Sequence, residues 1–212
     1  MTSVALLHRE SELGHRLAET VAAAPGLTVL GSAGTMPALR EVLAQEVPDL
    51  LLVDLMLPGA QVQSVLQELR HEVPDGRPRL LVLAVSADDP RVMAALRHGA
   101  DSYFAHAHSL LSLPEAIEQL VRGESMITPQ IARQLKSHFE AGGGAALPEA
   151  DCRLLQWMAE GFLVSEVARA LRVNAHAVGV RIRSLYRRLQ ADVRSQQDVR
   201  EDAGLQGGPL FT

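Results

Sequence analysis

Residues 49–59 read Asp49-Leu50-Leu51-Leu52-Val53-Asp54-Leu55-Met56-Leu57-Pro58-Gly59. Leu50–Val53 is apolar without alternation, as expected of a strand covered on both faces. Asp54 then falls at the carboxyl end of that strand. Outward from this stretch, short apolar runs alternate with helical periodicity. Val4–Leu7 and Thr28–Leu30 precede it, separated by Leu13, Leu17 and Val21 at helical spacing, with Leu39, Val42 and Leu43 marking a second helix. Val62, Val65, Leu66 and Leu69 follow it, then a strand at Leu80–Val85, a helix through Val92, Met93 and Leu96, a strand at Ser102–Phe104 and a helix through Ile117, Leu120 and Val121. Five strand–helix alternations predict an α/β fold: a five-stranded parallel, doubly wound sheet with helices on both faces. Sites in such sheets form at the carboxyl ends of the strands.

The remainder reads as all-helical. Thr128-Pro129 has the form of a helix cap followed by the first helical residue, and Ile131, Leu135 and Phe139 share one face of that helix. Gly142–Ala146 interrupts regular structure and reads as a linker. Residues 149–160 form a helix stopped by Gly161, residues 165–171 a second, and Asn174 caps a third that runs to about Leu189. The apolar stripe of the third helix is Val178, Ile182, Leu185 and Leu189. Its opposite face holds His176, Val180, Arg183 and Arg187, with Arg181 and Arg188 at the flanks. Two helices followed by a third with an arginine-rich face fit a helix-turn-helix, the third helix being the reader, or equally a solvated face on an ordinary helical bundle.

Charge separates the two halves. The 212 residues carry a net charge of −5, with residues 1–122 contributing 9 basic and 15 acidic side chains and residues 147–200 contributing 9 basic and 6 acidic. The basic back half is the candidate polyanion binder. No apolar run approaches the ~18 residues of a membrane helix, and the start has no signal-peptide pattern. The single cysteine, Cys152, excludes an internal disulfide framework. These features predict a cytoplasmic protein with no membrane partner.

Two stretches resemble a known family. Met158-Ala159-Glu160-Gly161, Glu166-Val167-Ala168-Arg169 with Leu171, then Val173, His176, Val178, and Leu189 after a basic pair, resemble the DNA-binding domain of NarL/FixJ (LuxR-type) regulators. Leu51–Gly59, Val82-Leu83-Ala84-Val85-Ser86 and Gly99-Ala100-Asp101-Ser102-Tyr103 resemble a response-regulator receiver, and Gly123-Glu124 through Thr128-Pro129 resembles the family's connector. The resemblance implies a receiver-like domain over 1–123, a connector helix and Gly/Ala linker over 124–146, a helix-turn-helix over 147–200 and a flexible tail over 201–212. It also implies double-stranded DNA as partner, a homodimer on paired half-sites, and no enzymatic activity or cofactor.

By the same resemblance Asp54 stands at the phosphoacceptor position, Ser86 at the phosphate-binding hydroxyl and Tyr103 at the switching aromatic. The acidic pair expected to hold magnesium is replaced by His8 and Arg9, and the expected lysine by His106. Magnesium needs hard oxygen ligands, so its site is expected to be lost, with Arg9 pairing with Asp54 instead. Control would then come from a small ligand or partner protein at the receiver, or from expression level. Alternatives are a register slip that brings Glu10 or Glu12 to the metal, an ordinary phospho-activated regulator at Asp54, a metal held by His8, His106 and Asp54, and an adaptor that binds protein rather than DNA. Gly31-Ser32-Ala33-Gly34 lacks the full dinucleotide fingerprint and reads as a turn.

In the reading helix the family's usual threonine and lysine are Ala177 and Gly179. DNA contact is then assigned to His176, Val180, Arg181, Arg183, Arg187 and Arg188. Arg183 is the candidate for bidentate guanine recognition, and Arg187 and Arg188 are the candidates for backbone phosphates.

Overall fold

The structure, a computed structural model, describes residues 1–57, 62–72, 78–106, 110–142 and 146–205. Strands β1 (Thr2–Leu7), β2 (Leu27–Ala33), β3 (Leu50–Asp54), β4 (Arg79–Ala84) and β5 (Ser102–Ala105) form one parallel sheet in the order β2-β1-β3-β4-β5. Side chains alternate across it. Ala5, Leu7, Leu51, Val53, Leu80 and Val82 face α2 (Met36–Gln45), α3 (Val62–Glu72) and α4 (Pro90–Arg97). Val4, Leu6, Leu50, Leu52, Leu81 and Leu83 face α1 (Glu12–Ala22) and α5 (Leu113–Val121). Burial on both faces explains the unbroken apolar run of β3.

Thr128 caps α6 (Pro129–Glu140) by accepting the Ile131 amide, with Pro129 at the first helical position. Three helices complete the chain: α7 (Glu149–Glu160), α8 (Val164–Leu171) and α9 (Ala175–Leu205). Gly161 ends α7 at φ +94°, a left-handed conformation that glycine adopts without a Cβ clash. Asn174 Oδ1 accepts the Ala177 amide at 2.8 Å, capping α9.

α9 corrects the expectation of a helix ending near Leu189: it continues to Leu205, into the stretch read as tail. Nothing after Leu189 stops it, because residues 190–203 contain neither proline nor glycine. Residues 206–212 and most of the Gly142–Ala146 stretch lie outside the described residues. Val178, Ile182, Leu185 and Leu189 are fully buried against α7 and α8 residues, including Leu154, Leu155 and Val167, as their spacing predicts.

Candidate functional site

At the carboxyl end of β3 the Asp54 carboxylate is buried, and its Oδ1 accepts the Met56 amide at 2.8 Å. Arg9 Nε stands 3.6 Å from Asp54 Oδ2, an ion pair rather than a hydrogen bond. The neighbouring histidine turns elsewhere. His8 Nδ1 bonds the Arg9 carbonyl and Nε2 bonds Ser32 Oγ, both at 2.6 Å, which fixes the ring away from Asp54. Gly14, on the first turn of α1, makes room for that ring: a Cβ there would overlap His8 and lie 2.5 Å from the Arg9 carbonyl oxygen.

Ser86 is exposed, and its hydroxyl accepts the Asp88 amide at 3.2 Å. Tyr103 is buried with its hydroxyl beside Thr128. Burial pushes its pKa up to about 12, with Thr128 opposing in part. His106 continues β5, its amide bonded to the Ala84 carbonyl. The alternative of a metal held by His8, His106 and Asp54 is not met: among the described residues no three metal-ligating side chains converge, because His8 is committed to Ser32.

Sequence reasoning missed Arg91. From the first turn of α4 it donates to the Leu55 carbonyl at 3.0 Å and pairs with Asp89 at 2.6 Å. Its bond to Asp89 raises its pKa despite some desolvation, and the Asp54 charge adds to the rise. Two guanidiniums thus flank the end of the sheet that a divalent cation would occupy. The only signal available was its place in the helix start after β4, which by itself names no role.

The second candidate site is the polar side of α9, and here the expectation of a solvent-facing arginine face is corrected. Arg183 is buried, its Nη2 3.1 Å from Asp101 Oδ1 and its Nη1 3.4 Å from the Leu120 carbonyl. Burial lowers its pKa and Asp101 counters this. Gly179, Arg183, Tyr186 and Gln190, spaced four, three and four, form a second stripe that packs on the sheet-bearing half. The Ser125 amide donates to the Gly179 carbonyl at 3.1 Å. The Tyr186 hydroxyl donates to the Met126 carbonyl at 2.5 Å. Gln190 Nε2 donates to the carbonyls of Leu96 and Ala100 at 3.0 and 2.9 Å. A Cβ on Gly179 would stand 2.8 Å from Glu124 Cβ, so glycine permits this closeness. The stripe is polar, which reads as solvated in sequence; its cover instead supplies acceptors for Tyr186, Gln190 and the two Arg183 Nη groups, while Arg183 Nε has no hydrogen-bond partner among the described residues.

The other candidate DNA contacts divide. Val180 and Arg187 are exposed. His176 Nδ1 lies 3.0 Å from Glu124 Oε1, and Arg181 Nη1 3.2 Å from Asp151 Oδ1. Arg188 donates to the Ala146 carbonyl at 3.1 Å. Partial burial raises the Glu124 pKa, but hydrogen bonds from His176 and Arg122 outweigh it and hold the carboxyl below its usual range. Asp101, Glu124 and Ser125 were not legible as partners of the reading helix, nor Tyr186 and Gln190 as the residues of that helix that meet the other half.

No family model matches the sequence. The nitrate/nitrite response regulator protein NarL of Escherichia coli is 26% identical over 187 residues, covering 85% of this chain and 86% of that protein. The transcriptional regulatory protein LiaR of Bacillus subtilis is 24% identical over 204 residues, covering 94% and 96%. Among solved structures, the response regulator RcsB of Salmonella typhimurium superposes with a TM-score of 0.54 at 19% identity, covering 89% of this chain and 91% of that one. An RcsB–DNA complex superposes at 0.55 and 18% identity, covering 92% and 98%. Sequence and fold together relate this chain, over nearly its whole length, to the response regulators of the NarL type.

Proposed function

We propose that this chain is a DNA-binding transcription regulator, acting as a homodimer in the cytoplasm, whose control does not run through phosphorylation of Asp54. The observation that carries the second clause is the Arg9–Asp54 ion pair. A guanidinium stands beside the carboxylate where magnesium would be needed to stabilise charge during phosphoryl transfer, and Arg91 adds a second cation to the same end. DNA binding is supported by the net positive helix-turn-helix, by the exposed Val180 and Arg187, and by likeness to RcsB, which has been solved bound to DNA and as dimers on DNA. Among the described residues no helix is long and apolar enough to cross a membrane.

Since Arg183 is buried against Asp101, the geometry corresponds to a resting form from which α9 must separate before it enters a groove. The same observation favours a second reading, an adaptor whose helical half is committed to protein contact. Two experiments separate these readings. Incubation with acetyl phosphate and magnesium should leave Asp54 unlabelled; stoichiometric labelling overturns phosphate independence. Selection of genomic fragments by the full chain and by Asp101→Asn should enrich one motif, with a steep salt dependence and a loss in Arg187→Ala. No enrichment by either form leaves the adaptor.

A further inference from the structure

A groove of about 260 Å³ runs along the seam where α9 meets the sheet-bearing half. Gln67, Arg97 and His98 line it from one side, and Gln190, Arg194 and Gln197 from α9. Among the described residues no carboxylate lines it, although the chain as a whole is acidic. Arg97 and Arg194 are exposed, and neither makes an ion pair among the described residues. Gln190 spends both Nε2–H groups on the Leu96 and Ala100 carbonyls and so fixes the two walls relative to each other, whereas Gln67, with one N–H on His98 Nδ1, and Gln197 leave amide donors to the groove. An adjoining groove shares Arg97 and adds Arg133 and His138.

From this geometry we propose that the seam groove binds a small organic oxyanion, a phosphate- or polycarboxylate-bearing metabolite, and that occupancy holds the two halves together. Guanidiniums and amides in one concavity are the donor set that oxyanions take, and the volume suits a small metabolite rather than a polymer. His98 Nδ1 accepts from Gln67 Nε2 at 3.2 Å, and burial, with Arg97 beside it, lowers its pKa. The direction of control follows from composition. Arg97 belongs to one half and Arg194 to the other, so the complete site exists only when α9 is docked. A ligand that binds only the docked form stabilises it, and by reciprocity opposes whatever binds the undocked form. The effect on DNA rests on the function proposed above; the binding site does not.

The first arm of the test therefore omits DNA. Calorimetric titration of the full chain with citrate and, separately, with inorganic phosphate, at matched ionic strength, should give saturable binding of at least one probe. Arg97→Gln and Arg194→Gln should each weaken it about tenfold or more, one charge-assisted contact being lost in each. Asp101→Asn, which loosens docking without touching the groove, should weaken it as well. The His98 ring resonance should titrate at higher pH when the probe is bound. Binding of neither probe, or equal affinity in wild type and both arginine variants, overturns the proposal. In the second arm, the bound probe should lower DNA affinity in wild type but not in Arg194→Gln. A probe that binds the groove and leaves measurable DNA affinity unchanged overturns the direction of control alone, whereas absence of DNA binding in every form tells against the regulator reading.

Discussion

Asp101→Asn isolates the ion pair that holds α9 on the sheet-bearing half. Asp101 Oδ1 faces the Arg183 guanidinium, and Oδ2 accepts the Leu80 amide at 2.9 Å. Asparagine keeps an acceptor for Leu80, so the local turn survives, while the charge opposite Arg183 disappears. Both side chains of the pair are only 7% exposed. Removing one partner from such a pair costs about 3–5 kcal/mol, because the other charge is left buried and uncompensated. Arg183 retains only the Leu120 carbonyl, at a long 3.4 Å. Separation of the halves relieves that cost by returning the guanidinium to water. The docking equilibrium should therefore shift by roughly 10²-fold or more, at 1.4 kcal/mol per tenfold, while the bonds of Ser125, Tyr186 and Gln190 remain.

Spin labels on the exposed Cys152 and on Glu19→Cys of α1 read the separation directly. Wild type should give one narrow distance, and Asp101→Asn a broad, longer distribution. Arg183→Leu should do the same, and the double variant should lose less than the sum of the singles, since the pair is then removed together. If Asp101→Asn keeps the wild-type distance distribution, the ion pair does not hold the halves and the reasoning fails.

Other perturbations test neighbouring parts. Gly179→Lys places a Cβ 2.8 Å from Glu124 Cβ, so it should undock α9 while raising the helix's own stability by about 1 kcal/mol; label distances and helical melting check both. Gly14→Ala gains similar helix propensity, yet its Cβ meets the Arg9 carbonyl and the His8 ring. A net loss of about 2 kcal/mol in urea unfolding is expected, of the order seen for overpacking, and His8→Ala should rescue it only in part because the carbonyl stays. The Glu124 carboxyl is held below its usual range in the docked form. Its contribution to docking is thus complete above the ordinary carboxylate pKa and disappears as pH falls through the lowered value; label distances followed from pH 7 downward should show this, and Glu124→Gln should flatten it. Tyr103, raised to about 12, acts with the opposite sign. The stability it lends the fold is intact below about pH 10, the value of an unperturbed phenol, and is lost toward 12, which ultraviolet difference absorbance of phenolate formation should detect as part of alkaline unfolding.

The sheet was legible because its signals are local: β3 and β4 are continuous apolar runs, and burial on both faces demands that. The cap at Thr128 and the stop at Gly161 were legible for the same reason, since one side chain and one backbone conformation decide each. Arg9 beside Asp54 was also within reach, because both lie at strand ends fixed by parallel order. His8 was not: its ring is claimed by Ser32 on β2, a pairing set by distance across the sheet. The α9 stripe of Gly179, Arg183, Tyr186 and Gln190 was misread for a different reason. Periodicity distinguishes apolar faces from polar ones, and this face is polar yet buried, its partners being mainly backbone carbonyls that leave no mark in sequence.

The buried Arg183–Asp101 pair constrains how the chain would be switched. One guanidinium cannot serve Asp101 and a base edge together, so docking and groove reading by Arg183 are mutually exclusive. Apparent affinity for DNA then equals intrinsic affinity times the undocked fraction; a form docked ~99% of the time would bind ~100-fold more weakly than its separated helix. Gly179 acts in the same direction, since it removes a long side chain from the reading face and admits Glu124 in its place. At the carboxyl end of the sheet, the Asp54 carboxylate is paired with Arg9 at 3.6 Å, while Arg91 is held by Asp89. An input that bears on the seam itself, where an ion pair and carbonyl contacts hold α9, acts directly on docking, and the ligand proposed to span Arg97 and Arg194 would adjoin those contacts.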